Sequence, residues 1–231
     1  MKFTYSYADS TRLVFKASLS GNLSHESGNY NRKIITEGSS SYKAEQNTNN
    51  KMCTPVLGIY YSQQFTDRQS ITFNAIGTYI ATQSSNSYNE GLLYRYDVDG
   101  KTASLQSEII CENKLKPFVL QSGVNYGQKM VQNEYNGDVF SFNIIHNYRL
   151  YAFSEIKGCW KRLRYQLGAG ISYLYYKQDL HQYRYALSCP KLFLTYHFTD
   201  NWQLNFQFQS NEKVSQIAMV NDAMIQTNSM E

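Results

Sequence analysis

Long apolar runs are missing from this chain. No window approaches 18 consecutive apolar residues, and the mean hydropathy is −0.52. That argues against a membrane-spanning helix and leaves open a barrel, whose apolar residues are diluted by alternation. Charge is scarce too: Asp, Glu, Lys and Arg make up 17%, with a net +4 and no dense run of Lys or Arg. A phosphate-binding face is therefore not expected, and nucleic acid is not an expected partner. The opening MKFTYSYADSTRLVF begins with a basic residue, Lys2, but has no apolar stretch or cleavage site of the kind a signal peptide needs.

Cysteine chemistry is equally thin. Cys53, Cys111, Cys159 and Cys189 lie 58, 48 and 30 residues apart, with no CxxC and no nearby His pair, so no metal site is expected. Cys111 and Cys159 both precede a proposed turn, but spacing alone cannot bring two Cα atoms within ~7 Å, and their pairing stays open.

What the chain does have is Tyr, 21 times, and Phe, 12 times, with only 3 Pro, a profile that favours strands. Strict alternation recurs along its length. Leu13, Phe15, Ala17, Leu19, Gly21 and Leu23 alternate with polar residues, Val14 excepted, and Ile71, Phe73, Ala75, Gly77, Tyr79 and Ala81 repeat the pattern. Leu105, Ile109 and Cys111 oppose Gln106, Glu108 and Glu112, while Phe118, Leu120, Val124 and Tyr126 oppose Gln121, Asn125 and Lys129. Tyr165 through Tyr175 and the stretch WQLNFQFQ (202 to 209) complete the series. Helix periodicity is absent from all of these.

Tight polar turns are expected at ADST (8 to 11), TDRQ (66 to 69), NKLK (113 to 116), WKRL (160 to 163) and TDNW (199 to 202). Longer loops are expected between them, at SHESGNYNRK onward, SSNSYNEG with YRYDVDGK, QNEYNGDVFSFNIIHN and KQDLHQYR. Short and long connections alternate, which implies an antiparallel up-and-down sheet of about ten strands. Rings near strand ends (Phe198, Trp202, Trp160 and Tyr165 at one end, Tyr173, Tyr175 and Tyr176 at the other) suit two membrane girdles. The polar rows hold amides and hydroxyls, which suit a crowded lumen; the same stripes also fit a soluble sandwich or ligand-binding barrel. Glu108 and Glu155 are expected to face the lumen, with Arg164, Arg149 or Lys129 as partners. Pro190 should mark a bulge or an upper rim.

No reaction chemistry is expected. Around YDVDG (96 to 100), the first calcium-ligand place falls on Arg95 and the twelfth on Gln106, where a carboxylate is needed, so the DG reads as a turn feeding a strand. His25, His146, His181 and His197 are scattered, three of them at proposed loops; no GxSxG occurs, and Glu108, Glu112 and Glu155 form no readable pair. The expectation is no enzyme, no catalytic residue, no cofactor and no metal, with solute-contacting residues unassigned.

Four stretches carry a resemblance: YRYDVDGKTASLQSE with NKLKPFVLQSGVNYGQKMVQNEYNGD, YRLYAFSEIKGCWKRLRYQLGAGISYLYYKQ, and YRYALSCPKLFLTYHFTDNWQLNFQFQSN. Over roughly residues 55 to 217 the chain resembles the β-barrel portion of outer-membrane proteins common in Bacteroidetes, similar to the barrel of TonB-dependent receptors. The resemblance implies one outer-membrane β-barrel domain over 1 to 231, located in the cell outer membrane and facing its lipid. Such receptors take up a scarce solute with energy passed from TonB to a plug domain. No plug, TonB box or terminal aromatic strand is recognisable here, so the chain is expected to be a partial barrel that does not transport actively by itself. The alternative is a small barrel that binds a ligand or partner through its loops.

Overall fold

Period-2 alternation with few prolines leaves the backbone one economical solution, neighbouring strands paired edge to edge. The computed structural model describes residues 1–9, 12–34, 42–89, 93–138, 140–178, 181–199 and 201–210. They form a single antiparallel sheet of β1 (Lys2–Asp9), β2 (Leu13–Ile34), β3 (Tyr42–Gln64), β4 (Gln69–Asn89), β5 (Leu93–Leu115), β6 (Phe118–Gly137), β7 (Ser141–Trp160), β8 (Leu163–Gln178), β9 (His181–Ser188), β10 (Lys191–His197) and β11 (Gln203–Gln209). Each strand pairs with its chain neighbours, except that β8 pairs with both β9 and β10. The sheet is open, with β1 and β11 at its edges.

Strands β9 and β10 are one strand interrupted. Ile171 pairs with Ser188 and Gly168 with Lys191, the same register on both sides of Cys189 and Pro190. Pro190 therefore breaks the ladder without the extra residue a bulge would insert, correcting the expected bulge. Its carbonyl still accepts from the Ser210 N–H at 3.1 Å, and Cys189 N–H reaches Gly170 O at 2.8 Å. Counted this way the eleven segments are ten strands.

Strand length differs more from the sequence reading. SHESGNYNRK continues β2, YRYDVDGK lies in β5, and most of QNEYNGDVFSFNIIHN belongs to β6 and β7. The expected long loops are mostly strand, giving β2 to β7 lengths of 20 to 23 residues. YDVDG is likewise not a turn: Gly100 pairs with Thr82 and Asn133, and a Cβ there would collide with the Thr82 hydroxyl. His25 and His146, expected at loops, lie inside β2 and β7.

The turns at TDRQ and WKRL stand where the sequence places them; that of NKLK is shifted to Lys116 and Pro117, with Asn113, Lys114 and Leu115 still in β5, and residues 10 and 11 of ADST and 200 of TDNW lie outside the described residues. At two hairpin ends a Phe-Thr pair, Phe65–Thr66 and Phe198–Thr199, makes the same contacts. Thr66 Oγ1 accepts from the N–H groups of Arg68 (3.3 Å) and Gln69 (3.1 Å), and Thr199 Oγ1 accepts from Trp202 N–H (3.1 Å). Phe65 and Phe198 N–H close the two turns onto the carbonyls of Gln69 and Trp202 at 2.9 and 3.0 Å. Lys161 takes the left-handed conformation (φ 55°) between β7 and β8, and the Lys116–Pro117 peptide between β5 and β6 is cis.

A constant drift links these turns. The row of partners starting at Leu13, beside the first turn, runs through Gln63, Ile71, Cys111, Ser122, Ser154 and Ala169. The β8–β10 register then carries it to Pro190. Along that row the last ladder pair of each later hairpin (Gln64–Ser70, Leu115–Phe118, Trp160–Leu163, His197–Gln203) lies one, four, six and seven residues away. The drift is about one residue per strand. With ~3.3 Å per residue and ~4.8 Å between strands, turns held at one level require strands tilted by about 35°. Outer-membrane barrels tilt by roughly 35–45°.

Rings lie over glycines on adjacent strands: Phe153 over Gly123, Tyr151 over Gly170 and Tyr165 over Gly158. At Gly123 an added Cβ would sit 2.7 Å from the Ile109 carbonyl oxygen and 2.8 Å from the Phe153 ring. Gly123→Val should therefore destabilise the sheet by about 1–3 kcal/mol, whereas Gly21→Ala, which meets nothing within 4 Å, should change stability little. Urea unfolding of the refolded protein followed by tryptophan fluorescence checks the contrast, and equal midpoints for the two variants would contradict it.

Candidate functional site: an apolar outer band and a polar inner face

Because side chains alternate across a strand, the register assigns every residue to one of two faces. Among the described residues all the buried side chains, Tyr96, Tyr135, Asn143, Ile145, Glu155, Ser172, Gln178 and Cys189, fall on the same face. This is the inner, concave side of a curved sheet. The other face is open and apolar.

On the outer face the apolar stretch runs from Leu13 to Leu23 on β2, Tyr61 to Cys53 on β3, Ile71 to Ala81 on β4 and Leu163 to Tyr175 on β8. Its large side chains are solvent-accessible: Leu23 is 81% exposed, Ile171 64% and Leu105 40%. About 11 residues tilted by ~35° span roughly 30 Å of height, against a barrel band of about 25 Å. Beyond it the same face turns polar, to His25, Lys51, Gln83 and Lys177. The upper border steps across the rows toward β9 in the same sense as the turns, so the band stays level as the strands lean.

Aromatic residues mark the turn-side border, where Phe118, Trp160, Tyr165, Phe198 and Trp202 all take the outer parity. Tyr79, Tyr148 and Tyr175 stand near the upper border. Tyr176, expected in that girdle, faces inward, where its hydroxyl donates to Gln178 Oε1 at 2.5 Å. On β11, Leu204, Phe206 and Phe208 share the outer parity, and Gln203, Asn205, Gln207 and Gln209 the inner one.

The inner face is mixed: amides, hydroxyls and a few charges are interspersed with apolar side chains such as Ile76, Ile110, Ile145, Phe153 and Phe193. One partner row reads Gln64, Ser70, Glu112, Gln121, Glu155, Gly168, Lys191 and Gln209, without an apolar side chain. Glu108 and Glu155 both face inward, as expected from the alternation. The partners of Glu155 differ from the expected Arg164, Arg149 or Lys129. Its Oε1 pairs with Lys157 Nζ at 2.6 Å, while Oε2 accepts from Gln166 Nε2 at 2.8 Å and Lys191 Nζ at 3.1 Å. Lys157 Nζ also donates to Gln121 Oε1 at 2.6 Å. Glu155 is only 7% exposed, so burying its charge depends on these cationic and amide donors. Arg149 instead donates from Nη2 to Asn125 Oδ1 at 2.8 Å, two rows away.

A hollow of about 470 Å³ lies over this region, lined by Glu108, Asn125, Arg149, Tyr151, Phe153, Glu155 and Lys191 among others. It presents both charge signs and two rings, an arrangement able to hydrogen-bond a polar solute without selecting a reaction. Lys157 follows Glu155 by two and was legible as a same-face neighbour. Lys191 is 36 residues away, and only the β7–β8–β10 register brings it in.

The remaining candidates separate. His25 and His146 point outward, His181 and His197 inward. Among the described residues no three His, Cys, Asp or Glu side chains gather as a metal site. The four cysteines are free thiols. Cys111 lies on the outer face opposite Ser122, and Cys159 on the inner face opposite Arg164, so the sheet itself separates the pair whose bonding the spacing left open.

Comparison with known proteins bears on the fold. No family model matches the chain, and no curated protein matches it in sequence. Its structure is similar to the alcaligin outer-membrane receptor FauA of Bordetella pertussis, with a TM-score of 0.59 and 14% identity over 87% of this chain and 33% of that one. It is also similar to BauA, the ferric preacinetobactin receptor of Acinetobacter baumannii, with a TM-score of 0.51 and 6% identity over 86% of this chain and 43% of that one. The chain thus spans less than half the length of either receptor. The fold is that of a section of an outer-membrane receptor barrel: antiparallel, up-and-down and tilted.

Proposed function

We propose that this chain is part of the wall of an outer-membrane receptor of the TonB-dependent type, in a protein that brings a small solute across the outer membrane. Within that type, the sequence resemblance favours the class common in Bacteroidetes. The observation that carries the reading is the level apolar band on tilted strands, about as high as a bilayer core and left uncovered by the described residues. Lipid acyl chains cover such a face, and the amide-rich inner face then borders a wet lumen. Alcaligin and ferric preacinetobactin are the ligands of the similar receptors; for this chain the solute is a small polar molecule that amides, carboxylates and amines can hydrogen-bond. Active uptake would need a plug and TonB acting with this wall, so the wall alone does not pump.

The reading predicts that the protein, made in a Gram-negative cell as its full gene product, fractionates with the outer membrane, resists an alkaline carbonate wash and dissolves only in detergent. Recovery in the soluble fraction would contradict it. It also predicts depth dependence. Ile109, midway along the outward apolar stretch of β5, should cost about 2–4 kcal/mol when replaced by Arg, and Gln83→Arg at the border about 0–1 kcal/mol. Denaturant unfolding from phospholipid bilayers measures both, and equal losses would count against a lipid-facing band.

A further inference from the structure

The upper border of the band carries basic groups that the uptake reading does not use. On β2, β3, β5, β7, β8 and β9 the first outward residue beyond the band is His25, Lys51, Lys101, His146, Lys177 and Arg184. These positions step from row to row with the band, so the tilt holds them at one height. The turn-side border differs: its outward residues include the aromatics Phe118, Trp160, Phe198 and Trp202, and the cation set against them is Lys161 of the β7–β8 turn, 5.8 Å from the Trp160 ring.

The basic groups are densest on β7 to β9. His146 pairs directly with Lys177, and the adjacent outward row places Tyr148, Tyr175 and Arg184 side by side. The Arg184 guanidinium lies 5.4 Å from the Tyr175 ring centroid, Tyr148 and Tyr175 are 5.7 Å apart, and His146 stacks parallel to Tyr148 at 6.3 Å. Lys177 and Arg184 are exposed. From Gln128 and Met130 on β6 to Arg184 and Gln182 on β9, neither row contains a carboxylate. The outward Asp97, Asp99 and Glu134 stand on β5 and β6, farther from the band.

We propose that Lys177 and Arg184, with His146 as a third donor, bind the phosphorylated headgroups of outer-leaflet lipid against the ring shelf of Tyr148 and Tyr175. The inference rests on the membrane reading above. The site is continuous with the surface that meets acyl chains, and it lies opposite the tight turns, which in such barrels face the periplasm. At that level a lipid already held by its tails presents its phosphates to fixed cations, and rings at the headgroup level suit its sugar or glycerol portion. A protein partner would have to dock half on the lipid-covered band, so lipid is the better-fitting occupant.

The test uses the full chain refolded into phosphatidylcholine vesicles, with or without bisphosphorylated lipid A, then extracted with mild detergent for native mass spectrometry. The wild-type protein should retain lipid A, and K177Q/R184Q should retain it about tenfold less or weaker still. A control of equal charge change on the inner face, K16Q/K129Q, should retain it like the wild type. Equal losses in the two double variants, or no retention by inserted wild-type protein, would overturn the site and leave the membrane reading standing. Failure of the wild type to insert into either vesicle, seen as no heat-modifiable migration, would overturn the membrane reading and this site with it.

Discussion

Everything in this structure depends on one constraint: a single-layer sheet has two faces, and nothing else in the described chain packs on either. All its element contacts are between neighbouring strands. A soluble sheet places its apolar face against a second layer and so forms a core. Among the described hydrophobic residues only Tyr96, Tyr135, Ile145 and Cys189 are buried, and they belong to the concave side. The large outward side chains, Phe3, Leu57, Leu105, Ile171 and Phe206 among them, remain accessible. An exposed apolar surface of that extent requires a cover, and the height of the band fits a bilayer.

Register converts that local alternation into a surface. Every described hairpin keeps one register, even across Pro190, so no bulge among the described ladders moves an apolar set to the wrong face. The one-residue drift per strand then sets the tilt, and the same drift appears in the turns and in the upper border of the apolar band, just beyond which the basic residues lie. Turn geometry and side-chain chemistry agree on a single direction for the membrane normal. That agreement carries more weight than the amphipathic character of any one strand, which half-buried sheets of many kinds share.

Much of this was legible in the sequence. The hairpin ends at TDRQ and WKRL, the inward Glu108 and Glu155, and the two faces of WQLNFQFQ follow from period-2 alternation and turn residues, and the structure places them accordingly, while the turn expected at NKLK falls two residues later, at Lys116 and Pro117. Strand length was not legible, because above the band both faces are polar. SHESGNYNRK and SSNSYN have no apolar partner row to reveal the period, so they read as loops although the ladder continues through them. Pairing beyond the hairpin was equally hidden: Lys191 reaches Glu155 only through a strand order that no spacing encodes. The basic border is not legible in the sequence because its members lie on six strands, one on each, and become neighbours only through the register.

The central claim, that one face meets lipid and the other water, is tested most directly by two native thiols on opposite faces. Cys111 is outward within the band and Cys159 is inward near the turn, and both are exposed in the isolated structure. Single-cysteine forms carrying only one of them, in isolated outer-membrane fragments open on both sides, would be treated with a membrane-impermeant maleimide. Cys159 should label and Cys111 should stay protected until the protein is denatured; Cys111 labelling as fast as Cys159 in the intact membrane would contradict the account.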